Sequence, residues 1–194
     1  MLVALAVAAV GGLLVATRTP GDAVDDVTNA VEDTVTTVLE FVPGTYQALV
    51  RAGLTTEGAL IALAQAALES GMGKTPQARQ GFNVFNVAAG TTDQPAVWWG
   101  QRPVMVGGDV EYNTNDPSAP PRSIQQRWCV YASYDEAVSE WLKRTAAGRN
   151  LTPLNAGDAH GFVYGLYAGK YFTLPPDQYF ARLAPFIEQL RGQV

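Results

Sequence analysis

The sequence predicts an α+β fold, mostly helical, with a single β-hairpin. Three observations carry this expectation. Apolar residues recur at helical spacing in several stretches, most densely at Leu60, Ile61, Leu63, Ala64, Ala67 and Leu68. Only Val104 to Tyr112 and Arg122 to Tyr131 read as strands, and the tract between them, Asn113 to Pro121, has the Asn, Asp and Pro content of a long turn. No internal repeat is present, so a chain of 194 residues makes one ordinary domain plus an appendage.

The elements follow in order. Leu2 to Ala16 is apolar throughout, with Arg18 just after it. The stretch is short for a membrane span, which needs roughly 17–25 residues, and it lacks the positive n-region of a secretory signal. Residues 1–20 are therefore read as an apolar helix that inserts into a membrane or docks on an apolar surface. Val24, Val27, Val31, Val35 and Val38 then repeat at spacings of three and four, with Asp22, Asp25, Asp26, Glu32 and Asp33 between them. That pattern is an acidic amphipathic helix over residues 21–43. Pro43-Gly44 is expected to break it and to open the domain proper, residues 44–194.

Within that domain Tyr46 to Ala52 reads as a short helix. Thr55 or Thr56 caps the next helix, and Glu57 suits its positive end. Residues 74–100 read as loop. After the hairpin, Ser133-Tyr134-Asp135-Glu136 is a capping box opening a helix that runs to Gly148. Asp158 caps a helix through Phe162, Tyr164 and Leu166. Pro175-Pro176 opens the last helix, which carries Tyr179, Phe180, Leu183, Ile187 and Leu190, and Pro185 is expected to bend it.

Charge and composition narrow the functions. A net charge of −5 argues against a nucleic-acid backbone as partner and against attraction to anionic lipid. The single cysteine, Cys129, excludes an internal disulfide, and its flanks Trp128, Val130 and Tyr131 place it on a buried strand. With one cysteine and one histidine, His160, there is no ligand set for a zinc site, and no cofactor is expected.

The run Ala66-Ala67-Leu68-Glu69-Ser70-Gly71-Met72-Gly73-Lys74 carries the chemistry. Glu69 falls in the last turn of an apolar helix that Gly71 and Gly73 terminate. There the carboxylate meets the negative pole of the helix dipole and alanine and leucine neighbours, and both raise its pKa. A general acid working near neutral pH needs that shift. The plain alternative is a surface glutamate at a frayed helix end.

Ala64-Gln65-Ala66-Ala67-Leu68-Glu69-Ser70-Gly71-Met72-Gly73-Lys74 resembles the catalytic helix of the flagellar-type and phage N-acetylglucosaminidases, glycoside hydrolase family 73. Asn83-Val84-Phe85-Asn86-Val87 resembles the family's Asn-Leu-Phe-Gly-Ile segment. Arg127-Trp128-Cys129-Val130-Tyr131-Ala132-Ser133 is similar to its Phe-Arg-x-Tyr-x-Ser strand end. Tyr171-Phe172-Thr173 with Pro176 and Tyr179 resembles its Tyr-Ala-Thr-Asp-Pro-x-Tyr turn. The order and rough spacing agree over residues 55–190. Met72 stands where an aromatic is common, Asn86 where glycine is usual, and Phe172 where a small residue is usual.

The resemblance implies a lysozyme-like domain that cleaves the β-1,4 glycan backbone of peptidoglycan. Cleavage needs a protonated acid on the leaving oxygen and a second group that stabilises the oxocarbenium-like sugar or activates water. The resemblance assigns the acid to Glu69 and the second carboxylate to Glu111, on the first hairpin strand, with Asp109 as the second candidate. It assigns to Tyr171 the tyrosine beside the acid, where a half-buried structural tyrosine is the alternative. Asn83 matches an asparagine next to the cleft, and a turn former reads equally well. Phe85, Trp98 and Trp99 are candidates for the platform on which sugar rings stack, with core packing as the alternative for Phe85 and for one tryptophan. The partner is peptidoglycan, reached from the cell envelope, the periplasm or a virion, with residues 1–40 as tether.

Three other readings stay open on sequence. A lytic transglycosylase also places a glutamate before serine at a helix end, although its Gly-Leu-Met-Gln run is missing here. A Cys129–His160 peptidase or amidase would need a thiolate beside a helix N-terminus or a cation, which a mid-strand cysteine lacks. A non-catalytic wall-binding or structural component of an envelope or virion assembly would retain the cleft without using it.

Overall fold

The computed structural model describes residues 40–91, 104–111, 120, 122–146 and 151–194. The apolar stretch and the valine stripe, Trp98 and Trp99, and nearly all of the hairpin tip lie outside the described residues. Among the described residues no helix is long and apolar enough to cross a membrane.

The first described helix, α1, covers residues 40–51 and runs straight through Pro43-Gly44. The break expected there does not occur. Pro43 and Gly44 both lie within the helix. Gly44 serves close packing instead: a Cβ on it would come within 2.6 Å of the Tyr134 ring. Phe41 and Val42, expected to lie before the boundary, are buried in the core. The boundary expected at residues 43 and 44 thus falls inside the packed unit.

Helix α2 (Thr56–Ser70) is the central element. Thr55 caps it, accepting from the Gly58 amide at 3.1 Å, and Glu57 lies in its first turn. Every residue from Gly58 to Ala67 is buried, Gln65 among otherwise apolar or small residues, so this helix lies inside the domain. Its many alanines let neighbours approach closely. Helix α7 (Pro176–Arg191) brings Tyr179, Leu183, Ile187 and Leu190 into the same core and continues through Pro185. Arg191, near its end, pairs with Glu57 at 2.9 Å.

Two elements appear in the stretch expected to be loop. Helix α3 (Pro76–Gly81) is capped by Thr75 and has proline in its first turn, a helix start that a Thr-Pro dipeptide encodes. Strand β1 (Ala88–Thr91) joins the hairpin strands β2 (Val104–Glu111) and β3 (Arg122–Cys129). The result is a three-stranded antiparallel sheet in the order β1-β3-β2 rather than a lone hairpin. The β2–β3 register runs from Val104↔Cys129 to Glu111↔Arg122.

Helix α4 (Tyr134–Trp141) starts at the expected capping box, with Ser133 accepting from the Glu136 amide. The Glu136 carboxylate accepts from the Ala132 amide, one residue beyond the usual box. The α-helix stops at Trp141 rather than at Gly148, and a π-helical turn, Leu142–Ala146, follows. A short helix α5 (Leu151–Asn155) precedes α6 (Ala159–Ala168), which Asp158 caps as expected. Trp141 and Phe162 join α4 and α6 in the core.

Candidate active site

The site is built where α2 ends. Gly71 takes the left-handed conformation, φ 58° and ψ 47°, and returns its amide to the Ala67 carbonyl. Met72 and Gly73 also have positive φ. Gly73 lies against the Phe41 ring, so α1 supports this turn from behind. Ser70 is fully buried and ties the turn together, its hydroxyl donating to the Ala66 carbonyl at 2.6 Å and accepting from the Gly73 amide at 2.8 Å. The Asn86 amide, from the loop before β1, donates to the main-chain carbonyl of Glu69. The turn that aims Glu69 is therefore held by its own serine, by α1 and by that loop.

The Glu69 side chain is half-buried. Burial pushes its carboxyl above the usual carboxylate range, and a hydrogen bond from Tyr179 offsets part of that rise. The Tyr179 hydroxyl donates to Glu69 Oε1 at 2.7 Å. Burial, and then the negative charge of Glu69, push the Tyr179 phenol far above its ordinary value, so it stays a donor throughout the working range of pH. Phe172 stacks parallel on Tyr179, with ring centroids 3.9 Å apart.

Tyr171 is also near the acid: burial and the charge of Glu69 push its phenol well up. Its hydroxyl, however, donates to the Phe85 carbonyl at 2.7 Å. The hydrogen bond to the acid thus comes from Tyr179, which sequence reasoning placed only in the matching turn and on a helix face. The eight-residue step from Tyr171 to Tyr179 spans a turn and a helix start, so which phenol meets Glu69 depends on three-dimensional packing.

Asn83 and Phe85 are not placed as cleft residues. Asn83 is fully buried; its amide nitrogen donates to the carbonyls of Val87 and Cys129, both at 2.9 Å, and its Oδ1 accepts from the Val87 amide at 2.8 Å. All its hydrogen-bonding capacity in these directions goes to the backbone. Phe85 is 1% exposed and stacks on Trp141 with centroids 4.4 Å apart, so it offers no ring face to a sugar. The signal for both was available only in part: an Asn five residues before a strand is a turn former as readily as a ligand.

Glu111 ends β2, opposite Arg122. The other end of that strand pairs Val104 with Cys129, whose amide donates to Val87 beside Asn83. Seven residues at about 3.4 Å each put Glu111 about 24 Å along the strand from that anchored end. Cys129 is buried on β3, whereas His160 is exposed on α6 with Nε2 3.3 Å from Asp177. The two do not form a nucleophile–base pair. Among the described residues no cluster of His, Cys, Asp and Glu could hold a metal ion.

A protonatable carboxyl at the end of a buried helix, held by a phenol in a mostly helical domain with a small antiparallel sheet, defines a lysozyme-like glycoside hydrolase. Comparison with known proteins gives the family. The profile described as mannosyl-glycoprotein endo-beta-N-acetylglucosaminidase matches residues 52–192, and the chain belongs to this glucosaminidase family. Among solved structures, it is similar to a mutant of the peptidoglycan hydrolase of Sphingomonas sp. A1. That match has 28% identity and a TM-score of 0.57, and covers 76% of this chain and 90% of that one. A truncated glycoside hydrolase domain of Salmonella typhimurium FlgJ matches at 27% identity and TM-score 0.53, covering 79% and 97%. The catalytic domain of the autolysin Auto from Listeria monocytogenes shares the fold at 17% identity, with TM-score 0.55 and coverage of 91% and 97%. No curated protein matches the chain.

Proposed function

We propose that this glucosaminidase hydrolyses the β-1,4 glycan backbone of peptidoglycan, with Glu69 as general acid. One observation carries the assignment: Glu69 is half-buried, its carboxyl is raised, and one of its oxygens is held by the Tyr179 phenol. A carboxyl raised in this way keeps its proton to higher pH than a free glutamate, and can give it to the glycosidic oxygen as the bond to the sugar breaks. The carboxylate left behind is met at once by the Tyr179 hydroxyl, a charge-assisted bond stronger than the one in the ground state. Peptidoglycan as substrate is supported by the similar hydrolases of Sphingomonas and Salmonella.

Glu111 is the second carboxylate in this reading, activating water or supporting the substrate's acetamido group. If the two carboxyls lie farther apart than roughly 9.5 Å, either the hairpin folds over the bound glycan or the acetamido group itself assists. Residues 1–40 deliver and tether the enzyme at the envelope, and take no part in cleavage.

The test is Glu69→Gln on purified peptidoglycan. Removing an acid typically slows such a reaction by about 10²–10⁴-fold. Digestion at the parental rate would remove Glu69 from the mechanism. Mass spectrometry of the parental products is expected to show a reducing N-acetylglucosamine end, whereas an anhydro product would make the enzyme a lytic transglycosylase.

A further inference from the structure

Gln65 lies one helical turn before Glu69 on α2, so the two side chains share a face of the helix. It is 0% exposed, and neither Oε1 nor Nε2 completes a well-formed hydrogen bond. Burying a primary amide without partners is unfavourable, and a leucine of similar size would fill the same space without that cost. Its neighbours along the helix, Leu63, Ala64, Ala66 and Ala67, are apolar and equally buried. The face it shares with Glu69 meets α7 at the Tyr179 phenol; burial and the charge of Glu69 raise that phenol's pKa, and Gln65 offsets part of the rise. The same phenol donates to Glu69 Oε1 at 2.7 Å.

We propose that Gln65 is a positioning residue for Glu69, acting through Tyr179: its buried amide donates to the phenol oxygen and so orients and polarises the hydroxyl that receives the Glu69 carboxylate. This rests on Glu69 being the general acid. The amide N–H, the phenol O–H and the carboxylate then form a chain in which each bond strengthens the next. The chain is weak while Glu69 is protonated and strong once the proton has left. It therefore favours the transition state over the bound substrate, which is what raises kcat. That gives a reason for a polar side chain at a position where packing favours an apolar one.

Among the described residues, the titratable groups facing Glu69 from the packed elements are the phenols of Tyr179 on α7 and Tyr171 in the turn before it. Tyr131, two residues past the end of β3, faces Tyr171 in turn. Burial raises all three phenols, so none of them ionises near neutral pH. Among these groups, the alkaline limb of the pH profile, where the general acid loses its proton, belongs to Glu69. A hydrogen bond to the carboxylate lowers that limb, and weakening it moves the limb up.

The experiment measures kcat and kcat/KM against pH on purified peptidoglycan for Gln65→Leu, Tyr179→Phe and the double variant, with Tm for each. Gln65→Leu is expected to lower kcat about 3- to 10-fold, the scale of one neutral hydrogen bond, and to move the alkaline limb upward while Tm holds or rises. In the Tyr179→Phe background the same substitution should do neither, because the path through the phenol is already gone. An unmoved limb, or an equal effect in both backgrounds, overturns the proposal. So does a fall in kcat that only tracks a fall in Tm. If Gln65→Leu does not fold, Gln65→Met, unbranched and of similar length, answers the same questions. Glu69→Gln separates the two levels. If that variant is active, the acid assignment fails; if it is inactive and the Gln65→Leu profile is unmoved, only the role of Gln65 fails.

Discussion

Asn83 is the residue at which a cleft role and an architectural role make opposite predictions, and Asn83→Leu distinguishes them. The wild-type side chain joins the loop before β1 to β3, through Val87 N–H, Val87 C=O and Cys129 C=O, at 2.8, 2.9 and 2.9 Å. Leucine fills the space and offers none of these bonds. The Val87 carbonyl keeps a partner, because the Cys129 amide donates to it at 3.1 Å. The Val87 amide loses its only side-chain acceptor, and the Cys129 carbonyl loses a donor. An orphaned buried group costs about 1–3 kcal/mol, so two of them, with some relaxation, cost about 2–4 kcal/mol. For a domain of this size each kcal/mol lowers Tm by about 2–4 °C, so the expected fall is about 4–16 °C. Urea and thermal unfolding measure it, and peptidoglycan turnover well below the new Tm measures the rest. The loop also carries Asn86 to the Glu69 carbonyl and Phe85 to Tyr171, so kcat should fall with stability while KM changes little. A variant with parental Tm and a strongly raised KM would refute the architectural role and return Asn83 to the cleft.

The remaining predictions concern Glu69 and helix α1. Because burial raises the Glu69 carboxyl above its unfolded value, near pH 4.3, folding favours the protonated form. Its contribution to stability is present below that value and is lost as pH rises through the raised folded value. Glu69→Gln should therefore gain Tm over the parent above that window and gain little at pH 4, and an equal gain at both would contradict the shift. Gly44→Ala sets a Cβ 2.6 Å from Tyr134 Cε2 and should cost about 1–3 kcal/mol in chemical denaturation. A chain shortened to begin at residue 44 loses Phe41, which is 0% exposed and supports Gly73, at a cost of about 3–5 kcal/mol. It should melt far below a chain that keeps residues 40–43, and equal melting would put the boundary back at Pro43-Gly44.

What the sequence made legible was whatever short-range chemistry determines. Thr55, Ser133 and Asp158 cap the helices expected of them, since a cap is a contact three residues long. The two long strands are read from β-branched and aromatic runs, and α2 from an apolar stretch too dense to lie on a surface. Helix α3 and strand β1 were missed for different reasons. The Thr75-Pro76 start of α3 is a local signal that was there to be read. The residues of β1, Ala88 to Thr91, have no strand preference of their own, and pair because Ala88 and Thr91 find Trp128 and Gln126 of β3 across the sheet. Pro43-Gly44 misled because its glycine answers to Tyr134, ninety residues away, rather than to the local backbone.

The candidate site divides along the same line. Glu69 was legible because a carboxylate, a serine and two glycines at the end of an alanine-rich helix are consecutive in the chain. Its partner was not, because Tyr171 and Tyr179 are both tyrosines of one matching turn and only the α2–α7 packing decides between them. The structure gives the hydroxyl of Tyr179 to the carboxyl and that of Tyr171 to the backbone of Phe85. Gln65 shows how far such a distinction reaches. In the sequence it is one polar letter in an apolar helix, the kind of position usually assigned to solvent. At 0% exposure no solvent meets the amide, and the proposed reason for its polarity is the Tyr179 phenol at the same α2–α7 contact. If Glu69 is the general acid, as proposed, a buried polar residue one turn away on the same helix is where the fold would trade stability for control of its proton.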